Sequence, residues 1–283
     1  MNHATCAQAL LAAKTLGLDR LDAQLLLLHA LGKPSDARAW LLAHDTDLLS
    51  DEVAQRYLAL TVRRAGGEPL AYIVGYKEFF GLTLQVDARV LVPRPDTETL
   101  VQWSLDLLQA PGMPPVTQVL DLGTGSGAVA LAIAHSMRAT GRQGKVVAVD
   151  ASTGALSVAR GNAQQLELDL TFIQSSWLQE VSGYFHLIAS NPPYIASVDP
   201  HLAALAHEPL EALTAGMDGL DDLRQITRQA PGHLHPGGWL LLEHGYDQAD
   251  AVRQLLAEQG FIQVQSRRDL AGIERCSGGQ WPA

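Results

Sequence analysis

The sequence predicts an α/β fold, a doubly wound sheet carried behind a small N-terminal helical domain. Three observations support this. From Asp96 onward, short apolar runs alternate with helical stretches. A glycine-rich segment sits between the first of those runs and the helix that follows it. Residues 1–75 instead place leucines at mixed three- and four-residue spacings, with no strand pattern.

In the helical part, Leu10, Leu11, Leu18, Leu21, Leu25 and Leu28 form one recurring apolar set, and Gly32-Lys-Pro34-Ser interrupts it. A second helix is expected over 36–42 and a third over 50–64. Ser50 is a good N-cap with acids in the first turn behind it, and Gly66-Gly67 ends the helix. No catalytic cluster lies here, so a docking or lid role is expected. Over residues 76–95 the period changes. Leu82, Leu84 and Val86 alternate with polar residues, Val90-Leu91-Val92 follows, and Pro93-Arg94-Pro95 closes the segment. The pattern reads as a β-hairpin connector. The remaining domain, 96–283, is expected to place strands at 116–120, 145–150, 171–173, 185–190, 238–243 and 261–264. Helices are expected at 128–139 and 152–166, with a further helix capped by Asp247 and ended by Gly260.

Composition bounds the possibilities. With 47% hydrophobic and 18% charged residues, the 283-residue chain has ample material for packed cores and is not a disordered protein. The net charge of −10 argues against a broad nucleic-acid-binding surface. Residues 76–283 hold 22 acidic and 13 basic side chains, against 8 and 7 in residues 1–75, so the acidity belongs to the α/β part. Cys6 and Cys276 form neither a CxxC pair nor a disulfide framework, which fits a reducing compartment. The start has no signal-peptide pattern and the longest leucine run is too short to span a bilayer, so a soluble, cytoplasmic protein is expected.

Two segments carry chemistry. Asp121-Leu-Gly123-Thr124-Gly125-Ser126-Gly127 follows a strand and opens a helix. Its glycines permit positive φ and close approach of a ligand to the backbone, and the helix start favours an anionic group. Asp150 ends the next strand, where a carboxylate can accept from both ribose hydroxyls. A dinucleotide and a methionine-bearing nucleoside both suit this arrangement. The acid before the first glycine is awkward beside a pyrophosphate and well placed for an amino group. The second segment, Asn191-Pro192-Pro193-Tyr194, follows the fourth strand. Two prolines fix φ and remove two donors. The resulting corner of acceptors, Asn191 and the free carbonyls, can take both hydrogens of a planar NH₂, with Tyr194 available to stack on its plane.

Together these segments resemble class I S-adenosylmethionine-dependent methyltransferases, Rossmann-like enzymes that modify planar nitrogens. Gly67-Glu-Pro-Leu-Ala-Tyr-Ile73, Glu78-Phe-Phe-Gly-Leu82, Leu91-Val-Pro-Arg-Pro-Asp-Thr-Glu98, Glu208-Pro-Leu-Glu-Ala-Leu213 and Leu241-Leu-Glu-His-Gly245 narrow the resemblance to the HemK/PrmC family of peptide-chain release factor glutamine methyltransferases. The resemblance covers most of the chain. It implies transfer of methyl from S-adenosylmethionine, leaving S-adenosylhomocysteine, to the amide nitrogen (N5) of the glutamine in the GGQ motif of class I release factors, with no metal. Cofactor contacts would be Gly123, Thr124, Gly125, Ser126, Gly127, Asp150, Trp177 and Asn191. Substrate contacts would be Asn191, Pro192, Pro193 and Tyr194, of which Asn191, Pro192 and Tyr194 would act in catalysis. The helical domain would dock the release factor, and a monomer is expected.

One departure stands out: Ser176 occupies the place where the family often carries an acid facing the adenine amino group. Other segments read more plainly. Gly278-Gly279-Gln280 spells the substrate motif but reads as chance in a C-terminal strand region. His233-x-His235 reads as a loop, without a third metal ligand nearby. Two other functions compete: an adenine-N6 methyltransferase on DNA or RNA, sharing N-P-P-Y, and a non-catalytic module that binds a nucleoside and docks a partner.

Overall fold

The structure, a computed structural model, describes residues 4–283. The chain divides into two compact units, with the division between Tyr76 and Lys77.

The first unit is helical: α1 (Cys6–Thr15), α2 (Arg20–Ala30), α3 (Arg38–Ala43), α4 (Asp51–Ala65) and α5 (Leu70–Val74). The single leucine run of the sequence becomes two helices, because Gly17 takes φ +87° and Asp19 caps a new start by accepting from Asp22 N at 2.8 Å. Its apolar set also divides. Leu28 is fully buried beside Leu26 and Leu27, whereas Leu11 and Leu21 face solvent. Ser50 caps α4 as expected, accepting from Val53 N. The short α5 was not anticipated; a turn of five residues is below the length at which periodicity is legible.

The hairpin pairs β1 (Tyr76–Phe79) with β2 (Leu82–Gln85). Val90-Leu91-Val92 is not its second strand. Phe80 and Gly81 both take positive φ, the two-residue turn that matches strand twist, so the partner of β2 lies before it in the chain. Val90 and Val92 are buried as irregular backbone instead, and Val92 N donates to Glu208 Oε2 at 3.0 Å.

A 3-10 turn, Pro95–Thr97, leads into α6 (Glu98–Gln109). Beyond it the second unit alternates β3 (Val116–Leu122), α7 (Ala128–Ala139), β4 (Gln143–Asp150), α8 (Thr153–Gln165), β5 (Thr171–Gln174), β6 (Phe185–Ser190), α9 (Asp221–Gln229), β7 (Leu234–Glu243), α10 (Ala249–Glu258), β8 (Ile262–Arg268) and β9 (Glu274–Gln280). The seven-stranded sheet runs β5-β4-β3-β6-β7-β9-β8, parallel except for the antiparallel β9. Neighbouring residues of β3 and β6 feed opposite cores. Val119, Leu187 and Ala189 pack on one face with Trp103 and Leu131; Leu120 and Ile188 pack on the other with Leu223 and Val252.

Two elements were misread. Asp247 is exposed and does not cap α10; the residue before the helix is Gln248, whose Oε1 accepts from Gly245 N and whose Nε2 donates to the Tyr194 carbonyl at 3.0 Å. The His233/His235 pair is not a loop, because β7 already begins at Leu234. His235 packs against His186 with the rings tilted by 35° and their centroids 4.3 Å apart. Among the described residues no cluster of three or more metal-ligating side chains occurs, and no helix is long and apolar enough to cross a membrane.

Register sets up the site. Leu122 is paired with Val149 on one side and Ser190 on the other, and Ser190 with Leu242. The next residue along each strand is therefore Gly123, Asp150, Asn191 or Glu243, so these four sit at one level of the sheet's carboxyl edge. That edge, at the point where the chain turns from one side of β3 to the other, is where open α/β sheets bind ligands.

Candidate active site

A cavity of about 300 Å³ opens at this edge. Gly123, Thr124, Gly125, Ser126, Asp150, Trp177, Asn191 and Pro193 all line it. The three loop glycines serve different needs. Gly123 (φ +71°) lets the Trp177 ring approach; a Cβ there would lie 3.4 Å from it. Gly127 (φ +86°) packs so closely on Leu131 that a Cβ would come within 2.8 Å of Leu131 Cδ1. Gly125 (φ +54°) has nothing within 4 Å of such an atom, so its backbone faces open space.

The loop is held by carboxylates. Asp150 accepts from Gly125 N and Ser152 N, both at 2.9 Å, and tethers the glycine turn to the start of α8. Asp121 accepts from Thr124 Oγ1 at 2.6 Å and Ala130 N at 3.1 Å. Complete burial, with Asp150 nearby, pushes the Asp121 carboxyl up to about 7. Burial also raises Asp150. Asn162, fully buried on α8, ties the loop to the hairpin. Its Nδ2 donates to the carbonyls of Ser126 and Gln85, and its Oδ1 accepts from Gln85 N at 2.7 Å.

Trp177 adopts φ +52°, an unfavourable conformation for a bulky residue that persists only where its surroundings enforce it. Its Nε1 donates to Asp222 Oδ1 at 3.0 Å, and Asp222 itself lines the cavity. Ser175 and Ser176 line the wall beside it. An acid is thus present on this side, supplied by α9 rather than by the Ser176 position.

Of the N-P-P-Y corner, Asn191 and Pro193 reach the cavity wall. Pro192 is buried, and Tyr194 packs on the apolar cluster below with its hydroxyl aimed at Glu243 Oε1, 3.5 Å away. Asn191 Nδ2 donates to Thr97 Oγ1 at 3.2 Å. Arg94, also on the wall, donates to Glu208 Oε1 at 2.5 Å, and so links the R-P-D-T-E and E-P-L-E-A-L segments.

Asp121, Asp150, Glu211 and Asp222 line the cavity, against two cations, Arg89 and Arg94. Both cations are already occupied, Arg89 by Asp87 and Arg94 by Glu208. The surplus of carboxylates suits a ligand bearing positive charge, and the acceptors of Asp150 suit hydroxyls. S-adenosylmethionine, with its sulfonium and ammonium groups, fits both requirements.

Sequence reasoning missed Thr97, Asn162, Glu208 and Asp222 as parts of this neighbourhood. Glu208 lay within a quoted motif, but its partners come from distant segments. The Gly278-Gly279-Gln280 sequence is structural. A Cβ on Gly278 would meet Leu241 Cδ2 at 2.4 Å, one on Gly279 would meet Phe261 Cβ at 2.8 Å, and Gln280 Nε2 is bonded to the Gly237 carbonyl.

The fold and site define a class I S-adenosylmethionine-dependent methyltransferase. Residues 4–75 match the PrmC N-terminal domain and residues 104–258 the methyltransferase small domain. A release factor glutamine methyltransferase from Bordetella pertussis is 48% identical over 267 residues, spanning 93% of this chain and 95% of its own. One from Burkholderia pseudomallei is 48% identical over 290 residues, 99% of this chain and 97% of its own. Among solved structures, a T. thermophilus 16S rRNA N2 G1207 methyltransferase in complex with AdoMet and guanosine shares the fold at 19% identity. It has a TM-score of 0.50 and covers 73% of this chain and 49% of its own. The chain belongs to the release factor glutamine methyltransferase family.

Proposed function

We propose that the protein methylates the side-chain amide nitrogen of the glutamine in the Gly-Gly-Gln loop of class I release factors, in the cytoplasm, as a monomer that binds no nucleic acid. One observation carries this reading: in a chain that aligns along its length with release factor glutamine methyltransferases, Asn191, Asp150 and the glycine loop open into one acid-lined cavity. The helical unit docks the release factor and the second unit holds the cofactor.

S-adenosylmethionine supplies an electrophilic methyl on a sulfonium. The residues of the chain bind and orient. Gly123, Thr124, Gly125 and Ser126 line the cavity and Gly125 offers open backbone, while Gly127, packed on Leu131, fixes the start of α7 outside the lining; Asp150 accepts from ribose hydroxyls, and Trp177 provides an aromatic wall. An amide nitrogen is a poor nucleophile because its lone pair is delocalised. Asn191 Oδ1 and the Pro192 carbonyl accept from the glutamine NH₂, fix its plane and favour the positive charge that develops on nitrogen. Orientation of this kind contributes up to about 7–11 kcal/mol to lowering a barrier. No general base is required before transfer. Adenine recognition draws on Trp177 and Asp222 in place of an acid at position 176.

The test is a labelled-methyl assay offering isolated release factor, DNA and RNA separately. Label is expected on the release factor alone, at glutamine by mass spectrometry. Label on nucleic acid, or on none of the three, would overturn the reading.

A further inference from the structure

Gln248 opens α10 and does not line the cavity, yet its side chain joins three loops at the carboxyl edge of the sheet. Its Oε1 accepts from Gly245 N at 2.8 Å, just past β7. Its Nε2 donates to the Tyr194 carbonyl at 3.0 Å, and more weakly to the carbonyls of Asp218 and Gly219, each at 3.4 Å, just before α9. All four partners are backbone groups. A backbone N–H only donates and a carbonyl only accepts, so the two ends of the amide cannot be exchanged. The anchor is itself held. Gly245 is buried, and the fully buried His244 beside it donates from Nδ1 to the Gly245 carbonyl at 2.9 Å, while its Nε2 meets Ser277 Oγ at 2.8 Å.

We infer that Gln248 is a positioning residue for methyl transfer, which fixes the N-P-P-Y corner through the Tyr194 carbonyl. This rests on the function proposed above. The corner runs from the sheet into a loop. Before it, Ser190 is locked in register between Leu122 and Leu242. Beyond it, Ile195 N donates to the Leu213 carbonyl at 2.9 Å, and the Ile195 carbonyl accepts from Ala215 N at 3.0 Å. Between those points the prolines fix φ at 192 and 193, but the ψ angles can still turn the Pro192 carbonyl and the Asn191 side chain. Gln248 restrains that stretch at Tyr194. Gly219 (φ +75°) permits the approach: a Cβ there would lie 2.2 Å from the Tyr194 oxygen and 2.8 Å from Gln248 Nε2. Without the Nε2 donor, the acceptors of Asn191 and Pro192 are no longer held in one arrangement.

The geometry also explains why the L-L-E-H-G segment accompanies N-P-P-Y. Its last residue, Gly245, takes Oε1 and so aims Nε2 at Tyr194, 54 residues from Gln248 in the chain.

The test combines kinetics with a measurement that needs no turnover. Gln248→Met removes both bonds at similar length. Gln248→Glu keeps the acceptor for Gly245 N and puts an oxygen where the donor to Tyr194 was. With release factor as substrate at pH 8, both variants are expected to lower kcat by about tenfold to a hundredfold, the cost of misplacing a reacting group. The KM and the calorimetric Kd for S-adenosylmethionine should stay unchanged, since Gln248 does not line the cavity. Side-chain amide NMR of the wild-type protein, with the Gln248 signal assigned from Gln248→Met, should show exchange-protected Nε2 protons. Wild-type kcat in either variant overturns the inference. So does a fall in kcat matched by an equal loss of cofactor affinity, because the whole edge would then have given way, or an unprotected Gln248 amide in the wild type. A wild-type enzyme that leaves the release factor unmethylated overturns the proposed function instead, and the NMR arm still decides whether Gln248 holds the corner.

Discussion

The two units bury different kinds of residue. In the helical unit the interior is mostly leucine and alanine, joined by Cys6, Ile73 and two tyrosines, of which Tyr57 has its hydroxyl satisfied by the Ala23 carbonyl at 3.1 Å; the buried polar side chains described there are Gln24 and Thr61. Among the polar residues the sheet unit buries, Thr97, Asp121, Thr124, Ser126, Asn162, Ser190, Glu208 and Glu243 are close in sequence to its ligand-binding edge or bonded to it. Burying a polar group is costly unless it is bonded. The helical unit avoids that cost, and the sheet unit accepts it where the geometry of a loop or an amide must be specified. The difference separates residues that maintain a shape from residues that maintain a site.

That contrast makes the units separable by substitution. The largest effect is expected from Asn191→Ala. Loss of a single pre-organised group at a reacting centre costs about 10²–10³ in kcat, and turnover on release factor should fall at least that far with only a modest rise in the Kd for S-adenosylmethionine. Calorimetry beside the methyl assay checks both. A large fall in affinity would make Asn191 a cofactor ligand first.

Leu27→Ala in the helical unit should act in the opposite sense. Leu27 is fully buried, so the change should cost about 2–5 kcal/mol of stability. The Kd for S-adenosylmethionine should not move, since every residue lining the cavity belongs to the sheet unit. Denaturant melts and calorimetry read the two quantities independently.

Asp150→Ala removes the acceptor shared by Gly125 N and Ser152 N. Bonds to charged groups contribute about 1.5–3 kcal/mol, so cofactor affinity should weaken by roughly tenfold to a hundredfold. A comparable loss in kcat at saturating cofactor would contradict a purely binding role.

The smallest effect concerns pH. Burial raises the folded-state Asp121 carboxyl to about 7 from an ordinary 3.8, so between those values the folded state holds a proton that the unfolded state has lost. Its contribution to stability is therefore greatest at low pH and falls as pH rises towards 7. Asp121→Asn cannot lose that proton. The Tm of wild type minus that of Asp121→Asn should fall between pH 5 and pH 8, by about 2–4 °C for each kcal/mol involved. A difference that rises with pH would mean that Asp121 is ionised when folded.

Local chemistry in the chain was legible without the fold. Asp121-Leu-Gly-Thr-Gly-Ser-Gly announced a ligand-binding turn, because glycine takes without strain the positive φ found at Gly123, Gly125 and Gly127. Ala128–Ala139 and Phe185–Ser190 emerged with their expected bounds, because each has apolar character and clear stops at its ends. The errors fell where the signal was not local. Val90-Leu91-Val92 has strand composition but is buried as loop, and β9 enters the sheet between β7 and β8 although it follows both in sequence.

The sequence by itself determined the order of strands and helices, the glycine loop, Asp150 and the N-P-P-Y corner, since each is written in neighbouring residues and in backbone rules that act over a few positions. Only the tertiary structure decided that Asp222 stands beside Trp177, that Glu208 takes Arg94, and that Asn191 reaches Thr97. Those contacts join segments up to 114 residues apart, from Arg94 to Glu208. A hydrogen bond across such a separation exists only because parallel strands in register bring their ends to one edge, and composition and periodicity carry no trace of it.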